Sequence, residues 1–268
     1  MATKILVAEL GPVEIFSLRL ALGLPFLGVV LLMRRTPLGF TRADAPPLLL
    51  GGAIFTLHFL VQIRGIETTS ATNTGWIIAA SPLALAVLSY LLLRERIGWG
   101  GVVGIAIATA GILLLVSRGH PGDLAWLRST GDWLVLVSAH TWALYTVATR
   151  DLSRRRDPLA VTFTILLIAS VLTFALFAAR GDMARVRALS PRGIVAVLYL
   201  AIPGLAIGQW FWQEGVARLG AARAGLYLYL EPLATLALAV PLLREPFGAF
   251  TAIGGGLVLG GVWVGQRE

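Results

Sequence analysis

Glu231 is the residue in this 268-residue chain best placed to do chemistry. It stands ten residues into the apolar stretch 221–243 and directly precedes Pro232. A charged group at the centre of a bilayer costs about 2.5–3.5 kcal/mol on the translocon scale, so such a residue is a functional candidate by default. Proline cannot donate to the carbonyl one turn earlier, which loosens the helix at that point. A carboxyl beside freed backbone would bind a cationic group or carry a proton. The alternative is a protonated glutamate that hydrogen-bonds locally and only shapes the break. Tyr227 lies one helical turn before Glu231, on the same face. A second proline break, Ser81-Pro82, carries no charge. Before it, Asn73, Ile77 and Ser81 share one face, with Trp76 beside them.

Further polar residues are spread through other apolar stretches. His58 and Gln62 form an i, i+4 pair. Gln209, Trp210 and Gln213 stand together, and His140 and Tyr145 share a stretch. Polar groups in spanning helices turn toward protein, because lipid offers no hydrogen bonds. Each is therefore either substrate-binding or a helix–helix contact. Arg19, five residues inside its span, is expected to snorkel to the interface, with pairing to Glu9 or Glu14 as the alternative. The histidines are scattered, no His-x-x-x-His or His-Glu-x-x-His pattern exists, and cysteine is absent. No metal site or cofactor is expected.

The elements that hold these residues are set by composition. Hydrophobic residues make up 57% of the chain and charged ones 13%, and the mean hydropathy is +0.82. A soluble domain must keep more of its surface polar than this. The apolar residues fall in runs near the roughly 20 residues that cross a hydrocarbon core. Spans are expected at about 14–33, 46–64, 71–93, 99–117, 132–149, 158–179, 191–213, 221–243 and 247–265, after a partial one at 1–10. Ten helical residues reach roughly 15 Å, half of the core, so the first helix reads as truncated. Trp99, Trp126, Trp133 and Trp263 fall near span ends as interfacial anchors. The net charge of +8 reflects arginines at span ends, where topology explains them better than nucleic-acid binding. No Gly-Lys-Ser/Thr occurs, so the chain has no Walker A loop for ATP.

The chain also repeats. A shift of 150 residues aligns Gly65–Gly111 with Gly215–Gly261 without a gap. Pro82-Leu83-Ala84 then matches Pro232-Leu233-Ala234, and Leu92-Leu93-Arg94-Glu95 matches Leu242-Leu243-Arg244-Glu245. Gly104 and Gly111 match Gly254 and Gly261. Residues 1–119 and 131–268 are thus expected to be two five-helix repeats. An odd helix number inverts the second relative to the first. Arginine distribution modestly favours a cytoplasmic C-terminus, the loop at 180–192 being the exception. Gly100-x-x-x-Gly104 and Gly256-x-x-x-Gly260 are suited to close packing inside the bundle or between two copies in a homodimer.

At these residues the sequence resembles the EamA-type permeases of the drug/metabolite transporter superfamily. The resemblance runs through Glu14–Arg19 (EIFSLR), Ser70–Leu83 (SATNTGWIIAASPL), Leu92–Arg96 (LLRER), Gly104–Leu115 and Tyr229–Pro246, ending in the Gly-rich last helix. It implies an all-α membrane protein, a ten-helix bundle of two inverted five-helix repeats. It implies a multi-pass protein of the cell membrane (the inner membrane in a bacterium). The solute, an amino acid, metabolite or drug-like compound, would cross between the halves without ATP. The competing readings are a non-transporting membrane scaffold or sensor and, less favoured, an intramembrane enzyme. The latter needs a convergent catalytic set that these isolated polar residues do not supply.

Overall fold

The computed structural model describes residues 2–69, 74, 77–78, 80–95, 98–117, 127, 129–231, 233–234 and 248–267. Within them all regular structure is helical. Helix α1 (Ala2–Leu6) leads into α2 (Pro12–Met33), and a 3-10 turn (Arg42–Asp44) opens α3 (Ala45–Thr68). Then come α4 (Ser81–Leu93), α5 (Trp99–Ser117), α6 (Thr130–Arg155), α7 (Pro158–Arg180) and the short α8 (Met183–Arg187). Helix α9 (Pro191–Tyr199) runs through a π-helical stretch (Leu200–Ile207) into α10 (Gly208–Leu219). Helix α11 (Ala221–Leu226) tightens into a 3-10 turn (Tyr227–Tyr229), and α12 (Ala249–Gly265) ends the fold.

The starts are chemically defined. Asp157 accepts the N–H groups of Leu159 and Ala160, and Ser190 accepts that of Gly193, each followed by proline at the first helical position. Ser129 and Asp132 form a capping box for α6. Among the described residues, four apolar helical segments are long enough to cross a membrane: Pro12–Met33, Arg42–Thr68, Pro158–Arg180 and Pro191–Leu219. Their outward faces carry Val29, Leu32, Leu57, Val171 and Val195, all more than half exposed, which is a lipid-facing composition. Trp99, Trp133 and Trp263 are exposed at helix ends, as anchors require, while Trp126 lies outside the described residues.

Helix α5 packs along α12, α3 along α6, and α2 along α7. The first of these contacts is antiparallel and nearly backbone to backbone. A Cβ on Gly104 would stand 2.6 Å from the Gly261 carbonyl oxygen, and one on Gly111 would stand 2.7 Å from that of Gly254. These are the glycines that the 150-residue shift pairs. At the second Gly-x-x-x-Gly no close packing inside the bundle is seen: among the described residues, nothing outside the helix comes within 4 Å of a Cβ on Gly256 or Gly260. They face away from α5, because the contact follows a seven-residue spacing on the other side of the helix.

The two ends of the bundle are tied differently. At one end, Lys4 donates to the carbonyls of Ile66 (2.5 Å) and Thr69, and the Thr69 hydroxyl donates to Asp132. Glu14 accepts the Asp182 N–H at 2.9 Å, and Glu9 accepts the Ser190 N–H and hydroxyl at 2.8 and 2.7 Å. At the other end, Arg156 pairs with the buried Asp44 at 2.6 Å and Arg150 with Glu95 at 2.6 Å.

Candidate functional site

The least apolar of the long helices, α6, supplies one wall of the site. Ser138, Trp142, Tyr145, Thr146, Thr149 and Ser153 recur every three or four residues, so they line one face. That face meets α3 and α10. Tyr145, fully buried, accepts hydrogen bonds at its hydroxyl from Gln209 (3.1 Å) and Gln213 (2.6 Å). Gln213 also donates to Thr149 (3.2 Å) and accepts from Ser153 (2.8 Å), and the Trp212 indole donates to Thr146 (3.1 Å). His58 on α3 lies with Nδ1 2.8 Å from the Ser138 carbonyl oxygen. Trp142 stands between these groups, its ring 5.1 Å from His58, 5.6 Å from Tyr145 and 5.5 Å from Trp212.

Arg19 completes the cluster. It is 5% exposed, its guanidinium lies 4.6 Å above the Phe59 ring, and its Nε–H donates to the Leu200 carbonyl at 3.3 Å. That carbonyl opens the π-helical stretch between α9 and α10, where Pro203 has no N–H for the Tyr199 carbonyl one turn earlier and the backbone widens. Arginine has five N–H donors. Among the described residues, no carboxylate pairs with Arg19 and no acceptor meets its terminal Nη groups. Neither sequence expectation for Arg19 holds. It does not snorkel, and Glu9 and Glu14 are engaged by Ser190 and Asp182 instead.

The structure thus brings His58, Tyr145 and Gln209 together, with Gln62 half-buried one turn beyond His58. It excludes two expected members. His140 is exposed, with Nδ1 2.9 Å from the Leu136 carbonyl oxygen of its own helix. Trp210 points toward the C-terminal end of α2, with Arg34 5.1 Å over its ring. Gln209, Trp212 and Gln213 share a helical face that residue 210 leaves by about 100° per residue. Trp142 and Trp212 are the members that the sequence reading missed. The signal was present in the hydroxyl stripe of α6.

Pro82 sits in the first turn of α4, and Ser81 is buried at the helix start. Before Glu231 the chain forms a 3-10 turn, which advances 120° per residue instead of 100° and so rotates Tyr227 out of register with Glu231. Tyr227 is 45% exposed, Glu231 keeps an accessible surface, and Tyr229 instead is buried, 2.7 Å from the Thr109 hydroxyl. Asn73, Trp76 and Pro232 lie outside the described residues.

Tyr145→Phe is expected to leave two buried amide donors without their acceptor. Each such orphan costs about 1–3 kcal/mol. Thermal unfolding in detergent should show a clear loss of stability, and an unchanged midpoint would mean that the glutamines find other partners.

Comparison with known proteins decides the family. The model of the EamA-like transporter family matches residues 1–117 and 129–264. The chain belongs to the EamA-like transporter family. Members similar to it include an uncharacterized transporter of Archaeoglobus fulgidus, 27% identical over 97% of this chain and 90% of that protein. A probable terminal-alkyne amino-acid exporter of Streptantibioticus cattleyicolor is 30% identical over 90% of this chain and 80% of the exporter. A solved structure, 20% identical, superposes with a TM-score of 0.79 over 98% of this chain and 94% of that one, which shows a shared fold. The EamA chain described here is a multi-pass membrane transporter, and its relatives carry the names of transporters rather than enzymes.

Proposed function

We propose that this transporter is a secondary permease that moves a small solute by alternating access through the buried cluster of Arg19, His58, Tyr145, Gln209 and Gln213. The observation that carries the reading is the Arg19 guanidinium, buried, without a carboxylate partner among the described residues, and held at a π-helical stretch of the facing helix. A charge left uncompensated in the apolar interior calls for an anionic group from the solute. A carboxylate fits the guanidinium fork, and the aromatic rings of Trp142 and Trp212 suit an apolar remainder. An amino acid has both parts, and the name of the Streptantibioticus relative points the same way. The test is counterflow of labelled amino acids in proteoliposomes. At least one is expected to accumulate well above protein-free vesicles, and if none does with folded protein the reading is lost.

Residues 1–119 and 131–268 are the two moving halves in this reading, inverted relative to one another in a ten-helix bundle. The antiparallel pairing of Gly104 with Gly261 and Gly111 with Gly254 supports it, because exchanging the repeats maps each contact onto the other. Such an exchange needs a two-fold axis perpendicular to both helices, hence in the membrane plane. The chain has no cysteine, so introduced ones report without background. With the C-terminus cytoplasmic, Arg94→Cys is expected to label from the cytoplasmic side and Arg244→Cys from the other. Labelling of both from one side excludes the inversion.

Glu231 has the second mechanistic role in this reading, as a carboxylate preceding Pro232 in the sequence that binds a cationic group or a proton. Glu231→Gln is expected to slow solute movement strongly while membrane insertion stays normal. Wild-type counterflow by that variant removes the carboxylate from the mechanism.

A further inference from the structure

A cleft of about 280 Å³ opens where the ends of α4, α6 and α10 meet the starts of α5 and α11. Its charged lining is Arg150, Arg154, Arg218 and Arg223 with one carboxylate, Glu95. Four positive charges against one leave +3 in the lining. Two rim acids reduce this, since Asp151 pairs with Arg150 and Glu214 with Arg218, giving four against three, or +1. Arg154 and Arg223 remain without a carboxylate partner among the described residues, and both side chains are accessible.

The local sequence builds the cleft. Arg94 caps α4 in the left-handed conformation (φ 54°) and turns Glu95 inward. Glu95 then accepts the Ala222 N–H at 3.2 Å and pairs with Arg150 at 2.6 Å. Gly220, at φ 83° and ψ 164°, makes the break between α10 and α11 in a region that only glycine occupies without strain. A Cβ there would stand 3.1 Å from a Glu95 carboxylate oxygen. One carboxylate therefore holds the floor together, while the arginines at the mouth keep donors to spare. Deeper in, Ile105 and Leu226 make an apolar wall.

We propose that this cleft binds a phosphate group, supplied by the headgroup of an anionic phospholipid. Guanidinium groups converging from several elements match the several oxygens of a phosphate. The cleft lies at the helix ends, the depth of the headgroup layer, and basic pockets between helices at that level are suited to anionic headgroups. The apolar wall would meet the first carbons of the lipid. The cleft lining includes none of the residues of the Arg19 cluster, and its test needs no transport measurement.

The test is thermal unfolding of the full chain in a neutral detergent, titrated with phosphatidylglycerol, phosphatidylcholine or inorganic phosphate. Phosphatidylglycerol is expected to raise the midpoint saturably and phosphatidylcholine to leave it unmoved. In Arg154→Gln/Arg223→Gln the half-saturating concentration should rise about ten-fold or more, the loss expected from removing charge-assisted contacts. Arg180→Gln/Arg187→Gln, exposed at the opposite end of the bundle, should behave as wild type. If inorganic phosphate gives the same shift, and the cleft variant loses it, the phosphate site stands and its source is soluble. Equal shifts with phosphatidylcholine, or a lipid effect that the cleft variant retains, overturn the proposal. Should the double variant fail to insert, Arg154→Gln and Arg223→Gln singly carry the same comparison.

Discussion

Replacing Arg19 by methionine is expected to stop solute movement while leaving the folded protein as stable as wild type or more so. The two effects have opposite signs because the residue is expensive and useful at once. A charge inside the bilayer costs about 2.5–3.5 kcal/mol on the translocon scale. In this structure its visible compensation is one 3.3 Å bond to the Leu200 carbonyl and the face of Phe59. A bond from a charged donor contributes about 1.5–3 kcal/mol net, the low end suiting this long contact, and a cation–π contact about 0.5–2 kcal/mol. Compensation therefore roughly matches the cost at best, and an unbranched apolar side chain loses little by replacing it. Transport behaves differently. A charge-assisted bond to the solute is worth about 1.5–3 kcal/mol, so its loss lowers counterflow about ten-fold or more. A purely structural arginine would give the reverse result, with a lowered unfolding midpoint and unchanged rates in the protein that inserts. Measuring both on one preparation separates the two roles.

Gly111→Leu and Gly261→Leu are expected to be among the most damaging single substitutions in the chain. A Cβ on Gly261 would stand 2.5 Å from the Ala108 nitrogen and 2.6 Å from the Gly104 carbonyl oxygen, both backbone atoms that cannot swing aside. Helices α5 and α12 must then separate, and overpacking of this kind costs about 1–3 kcal/mol or more. The damage should spread, because Leu226 and Tyr229 pack into the same apolar cluster as Ala108, Ile112, Val258 and Val262. Gly256→Leu and Gly260→Leu are the controls, since nothing among the described residues lies within 4 Å of a Cβ on either glycine. Unfolding midpoints should fall for the first pair and hold for the second. Equal losses at all four positions would mean that the close approach does not carry the stability of this helix pair.

Much of the architecture was legible in the sequence, for reasons that can be given residue by residue. Runs of apolar residues near membrane-spanning length set the helices, and Pro12, Pro158 and Pro191 fixed where three of them begin. The 150-residue shift picked out the glycines that meet across α5 and α12. The site was only half legible. His58, Tyr145 and Gln209 were visible as polar groups in apolar spans, which must face protein. Trp142 and Trp212 were not, because tryptophan suits a lipid interface equally well.

Sequence by itself determined the membrane class, the apolar runs, the internal match at a shift of 150 residues and the candidates for chemistry, because these follow from local spacing and from what hydrocarbon excludes. Only the tertiary structure decided which candidates meet. It sent His140 and Trp210 away from the cluster and buried Tyr229 in place of Tyr227. It also joined Arg19 to a carbonyl 181 residues away. The physical reason is rotation. Each helix has one phase about its axis, set by all its neighbours together, and Pro203 and the 3-10 turn at Tyr227–Tyr229 shift that phase part-way along. Periodicity fixes which residues share a face, while packing fixes where that face points.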